Sequence, residues 1–137
     1  MDTFTFTVYG IPAPQGSMKA FIPRGWSRPV LTSDNKKTKP WRQEVAGSAV
    51  TAMQQSNFER RDRSLPISVV VSFVFQKPKS TKKSVVHKTT KPDVDKLARA
   101  ILDALTGIVF EDDSQVVDLH VSKCFGDVPC AKIEISA

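Results

Sequence analysis

The segment KPDVDKLAR, residues 91–99, sets Asp93 and Asp95 two positions apart among the cations Lys91, Lys96 and Arg99. Carboxylate oxygens are the donors that a hard cation such as Mg²⁺ prefers. It takes one or two of them and fills its remaining positions with water and substrate phosphate. Mn²⁺ is the natural substitute. A cation held in this way activates water for in-line attack on a phosphodiester and stabilises the leaving oxygen. Arg99, with Lys96, would then stabilise the extra negative charge on the phosphorus oxygens. A second acidic run, Glu111-Asp112-Asp113, follows further along.

Both acids also have plain structural uses. Pro92 holds Lys91 extended and makes Asp93 the N-cap of a helix. Asp95 falls in the first turn, where the positive helix end favours an anion. Residues two apart inside a helix point to nearly opposite sides. Asp93 is still non-helical at the boundary, so the two carboxylates can converge. Asp95 and Arg99, four apart, share a face. Asp113 is harder to place. A helix of about 13 residues is roughly 20 Å long. A strand that folds back along it starts near the helix C-terminus, far from Asp93. Either the EDD loop bends back or a second subunit contributes.

The elements that must carry these residues read as follows. Residues 3–9, TFTFTVY, alternate with period two, as a strand with one buried face does. MKAFI and RPVLT suggest short strands joined by the PRGW turn. Trp41, Val45, Ala49, Ala52 and Met53 recur at helical spacing and predict a helix from Lys39 to Gln55, with Pro40 in its first turn. Residues 67–75, ISVVVSFVF, are β-branched and aromatic, with apolar residues on both faces, and predict a central strand. Gln76–Pro92 reads as a loop with at most one helical turn. Val94–Thr106 predicts a second helix with the apolar stripe Val94, Leu97, Ala98, Ile101 and Leu105, and Gly107 as its C′ residue. FEDDS is a turn and Gln115–Phe125 a strand. GDVP reads as a hairpin turn and Cys130–Ile135 as the last strand. The expectation is a single α+β domain over residues 1–137, with a mixed sheet of four or more strands and two main helices.

Charge narrows the partner. The 137 residues carry twenty Lys+Arg against fourteen Asp+Glu, a net charge of +6. Such a surface favours a polyanion, nucleic acid first. Seven of the acids lie between Asp93 and Asp118, against Lys96 and Arg99 alone, so that stretch is −5 and the remainder +11. A dense acidic patch inside a basic chain suits a metal site within a phosphate-binding surface. Lys77, Lys79, Lys82, Lys83, Lys88 and Lys91 precede the acids directly and are placed to grip a DNA backbone. Lys19, Arg24 and Arg28 form a second basic patch around Trp26. That Trp is expected to cover a core edge; its other use is to stack on an unpaired base at a junction. His87 is expected to be solvated, with phosphate or metal contact as the alternative. Cys124 and Cys130 flank GDVP, where they could face each other across a hairpin, and are expected to be free thiols.

Other classes drop out. No apolar run approaches the roughly 18 residues of a membrane span. MDTFTFTVYG has no basic segment followed by an apolar one, so no secretion signal is expected. The expected compartment is the cytoplasm, with no membrane partner and no small-molecule cofactor.

Residues 91–123, KPDVDKLARAILDALTGIVFEDDSQVVDLHVSK, resemble the RusA family of Holliday junction resolvases. The family pattern runs K-P-D-x-D-N-L-x-K, an apolar helix with D-A-L, a short turn and D-D-x-Q-V. Here it stands as KPDVDKLAR, ILDALTG and EDDSQVVD. PAPQGSMKAF and QKPKSTKK are similar to the family's N-terminal and pre-motif basic segments. The resemblance implies a homodimeric, Mg²⁺-dependent endonuclease that cuts four-way DNA junctions by paired nicks. It maps the catalytic carboxylates to Asp93, Asp95 and Asp113, with Asp112 as a neighbour and Asp103 and Asp118 around them. Two positions depart from the pattern. Lys96 stands for the usual Asn, and Arg99 for the usual Lys. Arg can stabilise phosphate charge but cannot give up a proton. The alternative expectation is therefore a RusA-like protein that binds junctions and has lost catalysis.

Overall fold

The strand at Ile67–Gln76, β4, lies inside a four-stranded sheet of order β1-β6-β4-β5. The computed structural model describes residues 2–16, 18–33 and 36–137, without the side chains of 18–21 and 30–33. In chain order the elements are β1 (Thr3–Tyr9), β2 (Met18–Phe21), β3 (Val30–Ser33), α1 (Thr38–Ser56), β4, α2 (Val94–Leu105), β5 (Val116–Gly126) and β6 (Cys130–Ser136). A 3-10 turn, Asp113–Gln115, leads into β5.

β6 pairs antiparallel with both β1 and β4, whereas β4 and β5 are parallel. Parallel neighbours need a crossover, and α2 supplies it. Rows of paired residues run across the sheet. One row holds Phe4, Ile135, Val69 and Leu119; the next holds Phe6, Ile133, Val71 and Val121. This face lies under the helices, which bury Trp41, Val45, Ala49, Leu97, Ile101 and Leu105 against it. α1 packs on β1 and α2. The opposite face carries Thr5, Glu134, Val70 and His120 and is open. β4 is central as its composition predicts, but only one of its faces is covered by helices. Val70 is exposed; the inward residues are Ile67, Val69, Val71, Phe73 and Phe75.

Three expectations are corrected. GDVP does not close a hairpin, because β4 lies between β5 and β6. Residues 127–129 instead cross the end of β4. The approach is close: a Cβ on Gly126 would stand 2.6 Å from Val74 Cγ1. Cys124 and Cys130 therefore do not face each other. Both register with Val74, one from each side. That separates them by two strand spacings, about 9.6 Å, too far for a disulfide, and both thiols are free. Val94, placed in the apolar stripe of α2, is exposed at the helix start.

β2 and β3 form a separate two-stranded ribbon joined by the PRGW turn, as the sequence predicts. Among the described residues no helix is long and apolar enough to cross a membrane.

Candidate functional site

Asp93 holds the N-cap position of α2 with extended backbone, φ −70° and ψ 140°, yet its side chain makes no capping bond. The peptide bond before it, Lys91–Pro92, is cis. Asp93 and Asp95 are both exposed. Neither carboxylate has a hydrogen bond or ion pair among the described residues. The structural uses open to these acids are thus not taken up, apart from their place at the positive helix end. Arg99, one turn on and exposed, has no ion pair among the described residues. Lys96 is half-buried, and its carbonyl accepts from Gln15 N at 2.9 Å. Gln15 itself has a buried side-chain oxygen with no hydrogen-bond partner.

Two elements hold this helix end in place. Residues 14–15 dock across it, with the Thr38 hydroxyl donating to Pro14 O and Gln15 N to Lys96 O. On the other side Lys123 of β5 donates to Thr90 O and Pro92 O, both at 2.9 Å. The acid pair therefore sits at the C-terminal end of the parallel β4–β5 pair. Open α/β sheets place ligands at that end of their strands.

Asp113 lies elsewhere. It follows the C-terminus of α2 and precedes β5, whose start pairs with the start of β4. The 12 residues of α2 put about 18 Å between the two ends. Among the described residues no three acidic, His or Cys groups come together as a metal cluster. Within one chain the loop does not bend back.

The Asp113 turn is built with care. Asp112 caps it, its Oδ1 accepting from Ser114 N at 3.1 Å. That bond, then the neighbouring Asp113, pulls the Asp112 carboxyl below its usual range. Asp113 is pushed the other way, by partial desolvation, then by its contact with Asp112, then by the charges of Asp112 and Asp103. Among the described residues its anion has no paired cation, and one would steady it.

Buried Gln115 locks the turn, a role the sequence alone does not assign to it. Its Oε1 accepts from Glu111 N and Asp112 N, at 2.9 and 3.0 Å. Its Nε2 donates to Asp62 O and Leu65 O, at 2.7 and 3.0 Å. A Gln three residues after a capping Asp is the available signal for such a box. Asp103 and Asp118 are engaged outside the acid pair, with Arg42 at 3.7 Å and His120 at 3.5 Å.

The lysine loop divides into two sets. Lys77 donates to Lys82 O and Lys83 O and lies 5.8 Å from the Phe125 ring. Lys88 donates to Thr90 Oγ1 and lies over Phe75. These two fold the loop, which contains turns but no helix. Lys79, Lys82, Lys83 and Lys91 point to solvent with no side-chain partner among the described residues. His87 is exposed, its backbone bridged to Cys124. Trp26 does not cover a core edge: it is 62% exposed, because the ribbon that carries it stands apart from the main sheet. The Lys19 side chain lies outside the described residues.

The chain has matches among known proteins. A curated relative, the uncharacterized protein YqaN of Bacillus subtilis (strain 168), is 34% identical over 145 aligned positions, covering 98% of this chain and 96% of its own length. The family model for endodeoxyribonuclease RusA matches residues 13–136, which include the docking segment, the lysine loop, both acidic elements and every strand but β1. On that coverage the chain belongs to the RusA endodeoxyribonuclease family.

Proposed function

We propose that this protein is a divalent-metal-dependent endonuclease that resolves four-way DNA junctions by symmetric nicks. The observation that carries the reading is the pair Asp93 and Asp95, exposed at a helix N-terminus and without side-chain partners among the described residues. Their donor set suits Mg²⁺, with Mn²⁺ as substitute: hard oxygens, two carboxylates, room for water and phosphate. When bound, such a cation supplies an activated water and charge stabilisation at phosphorus. The chain's own residues do the rest. Asp93 and Asp95 hold the cation, Arg99 with Lys96 meets the growing negative charge, and the solvent-facing lysines hold the backbone.

Asp113 joins the site from a second copy in this reading. Support comes from β5, which forms one edge of the sheet, β1 forming the other. The lysine loop covers the far end of β5, where Phe125 N donates to Val86 O. Residues 116–123 are left without an outer strand among the described residues. Val117 and Leu119 on the β5 edge are 69% and 39% exposed. Two such edges, antiparallel about a two-fold near Leu119, would bury these side chains and end the open edge. The start of one β5, just after Asp113, would then lie beside the end of the other. That end carries Lys123, bonded next to Asp93.

The test is cleavage of a labelled synthetic four-way junction and a linear duplex, with Mg²⁺ and with chelator, by wild type and Asp95→Asn. Paired nicks on the junction alone, absent with chelator and in the variant, are the expected result. Junction binding without nicks, even in Mn²⁺, would select the lapsed binder, to which Arg99 in place of the family's Lys points.

A further inference from the structure

A single exposed apolar side chain is ordinary, but Trp26, 62% exposed, occupies a particular place. It ends the PRGW turn, fixed by the bond from its own N–H to Pro23 O at 2.9 Å and by Gly25 at φ +86°. Positive φ there suits glycine, and the indole that follows is exposed. Ile22, also 62% exposed, stands on the other side of the turn. Arg24 and Arg28 stand two positions to either side of Trp26 in the sequence. Both are exposed and have no acidic partner among the described residues. The tip thus combines an apolar plate with two uncompensated cations. A protein partner of ordinary composition satisfies one of these features. A nucleic acid satisfies both, with a base face for the plate and phosphates for the cations.

The ribbon is also rooted at the acid pair. Pro14 and Gln15, just before β2, are pinned to Thr38 and to Lys96 in the first turn of α2. Trp26 stands eleven positions after Gln15, so even a fully extended chain keeps the tip within about 36 Å of that anchor. At about 3.4 Å per base step along a strand, this is some ten steps, or one duplex turn. The tip and the acid pair can therefore touch one DNA molecule on two sides of a branch.

We propose that Trp26 is a stacking platform for an unpaired base at a DNA branch point, and that it supplies preference for branched over linear DNA. The proposal rests on the nuclease reading above and assigns that site its structure selectivity. Paired bases in a duplex are closed to a single indole. A branch exposes base faces, so the indole adds affinity only there. Arg24 and Arg28 contribute on any DNA.

The experiment measures equilibrium binding with metal chelated, so that no cutting intervenes. The probes are a four-way junction carrying 2-aminopurine at the branch and a linear duplex of the same sequence. Trp26→Ala is expected to lose about 5- to 100-fold in junction affinity, as base–aromatic stacking does, and less than about twofold on duplex. Trp26→Phe should retain most of the selectivity. Wild type should quench the 2-aminopurine signal and Trp26→Ala should not. Arg24→Ala with Arg28→Ala should weaken both probes alike. Since Trp26 is in solvent, its thermal midpoint should be unchanged, and Trp41, in the core, reports the fold. A selective wild type whose selectivity survives in Trp26→Ala overturns this inference alone. A wild type that binds both probes equally overturns the junction reading and this inference with it. A Trp26→Ala protein that changes from dimer to monomer without DNA makes the indole a contact between copies and also overturns it.

Discussion

Lys123 Nζ lies 2.9 Å from the carbonyl of Pro92, the residue before Asp93. A strand of the sheet thus fastens the backbone that aims the first acid. Lys123→Met is expected to cost about 1–3 kcal/mol, the scale of a hydrogen bond from a charged donor, read from urea unfolding. The more telling readout is metal demand. The Mg²⁺ concentration at half-maximal nicking should rise several-fold while the rate at saturation falls less. An unchanged half-point would remove Lys123 from the positioning of Asp93.

A site shared between copies makes a prediction that a site within one chain cannot. Asp95→Asn and Asp113→Asn should each be inactive as pure proteins. Mixed and re-equilibrated, they should regain nicking, because half the mixed dimers' sites combine the intact Asp95 of one chain with the intact Asp113 of the other. Each mixed dimer holds a single good site, so the product should be one nick per junction. Persistent inactivity of the mixture would rule out the shared arrangement.

Gln115 holds four backbone groups at once. Gln115→Leu has similar bulk but leaves buried donors and acceptors unmet, at roughly 1–3 kcal/mol. It should also loosen the Asp113 turn. Both the thermal midpoint and the nicking rate should fall, and an isolated loss of stability would separate the turn from catalysis.

The pH dependence follows from the neighbouring acids Asp112 and Asp113. The Asp113 carboxyl is held above the ordinary 3.8, so it ionises late as pH rises. Metal-supported nicking should therefore fall on the acid side as pH drops through that raised value. Asp112→Asn keeps an oxygen for Ser114 N but removes the neighbouring charge. The acid limb should then move to lower pH, and a limb that stays fixed would argue that Asp113 is not a ligand.

The two sets of lysines should behave differently. Replacing Lys79, Lys82 and Lys83 by Ala should flatten the salt dependence of DNA binding, by about 0.9 in log–log slope for each phosphate no longer neutralised. The replacements should leave stability within about 0.5 kcal/mol, as for exposed sites. Lys77→Ala and Lys88→Ala should instead loosen the loop, detected as faster proteolysis between residues 77 and 92.

Much of this arrangement can be read in the residues. Period two in TFTFTVY and the amphipathic run from Leu97 to Leu105 follow from burial of one face, and the structure repeats them nearly residue for residue. ISVVVSFVF, apolar on both sides, marks a central strand but not that only one of its faces lies under the helices. Strand order is different. It depends on which edge the chain reaches after a turn, and GDVP reads the same whether it closes a hairpin or crosses a strand. The acids at 93 and 95 are legible because a helix start is a local event. The position of Asp113 relative to them is not local, since it depends on the length of a helix. Gln115 stands within a motif yet shows no role there, because its four partners lie in two loops that the sequence does not reveal as neighbours. Trp26 runs against expectation because an aromatic side chain is usually buried.

The length of α2 has one more consequence. If the two ends of that helix hold halves of different sites, a lone copy cannot cut. Below the dimer dissociation constant, the number of competent sites falls with the square of protein concentration. A nuclease organised in this way is self-limiting: sparse copies are harmless to intact chromosomes, and cutting begins only where enough protein has gathered to form pairs.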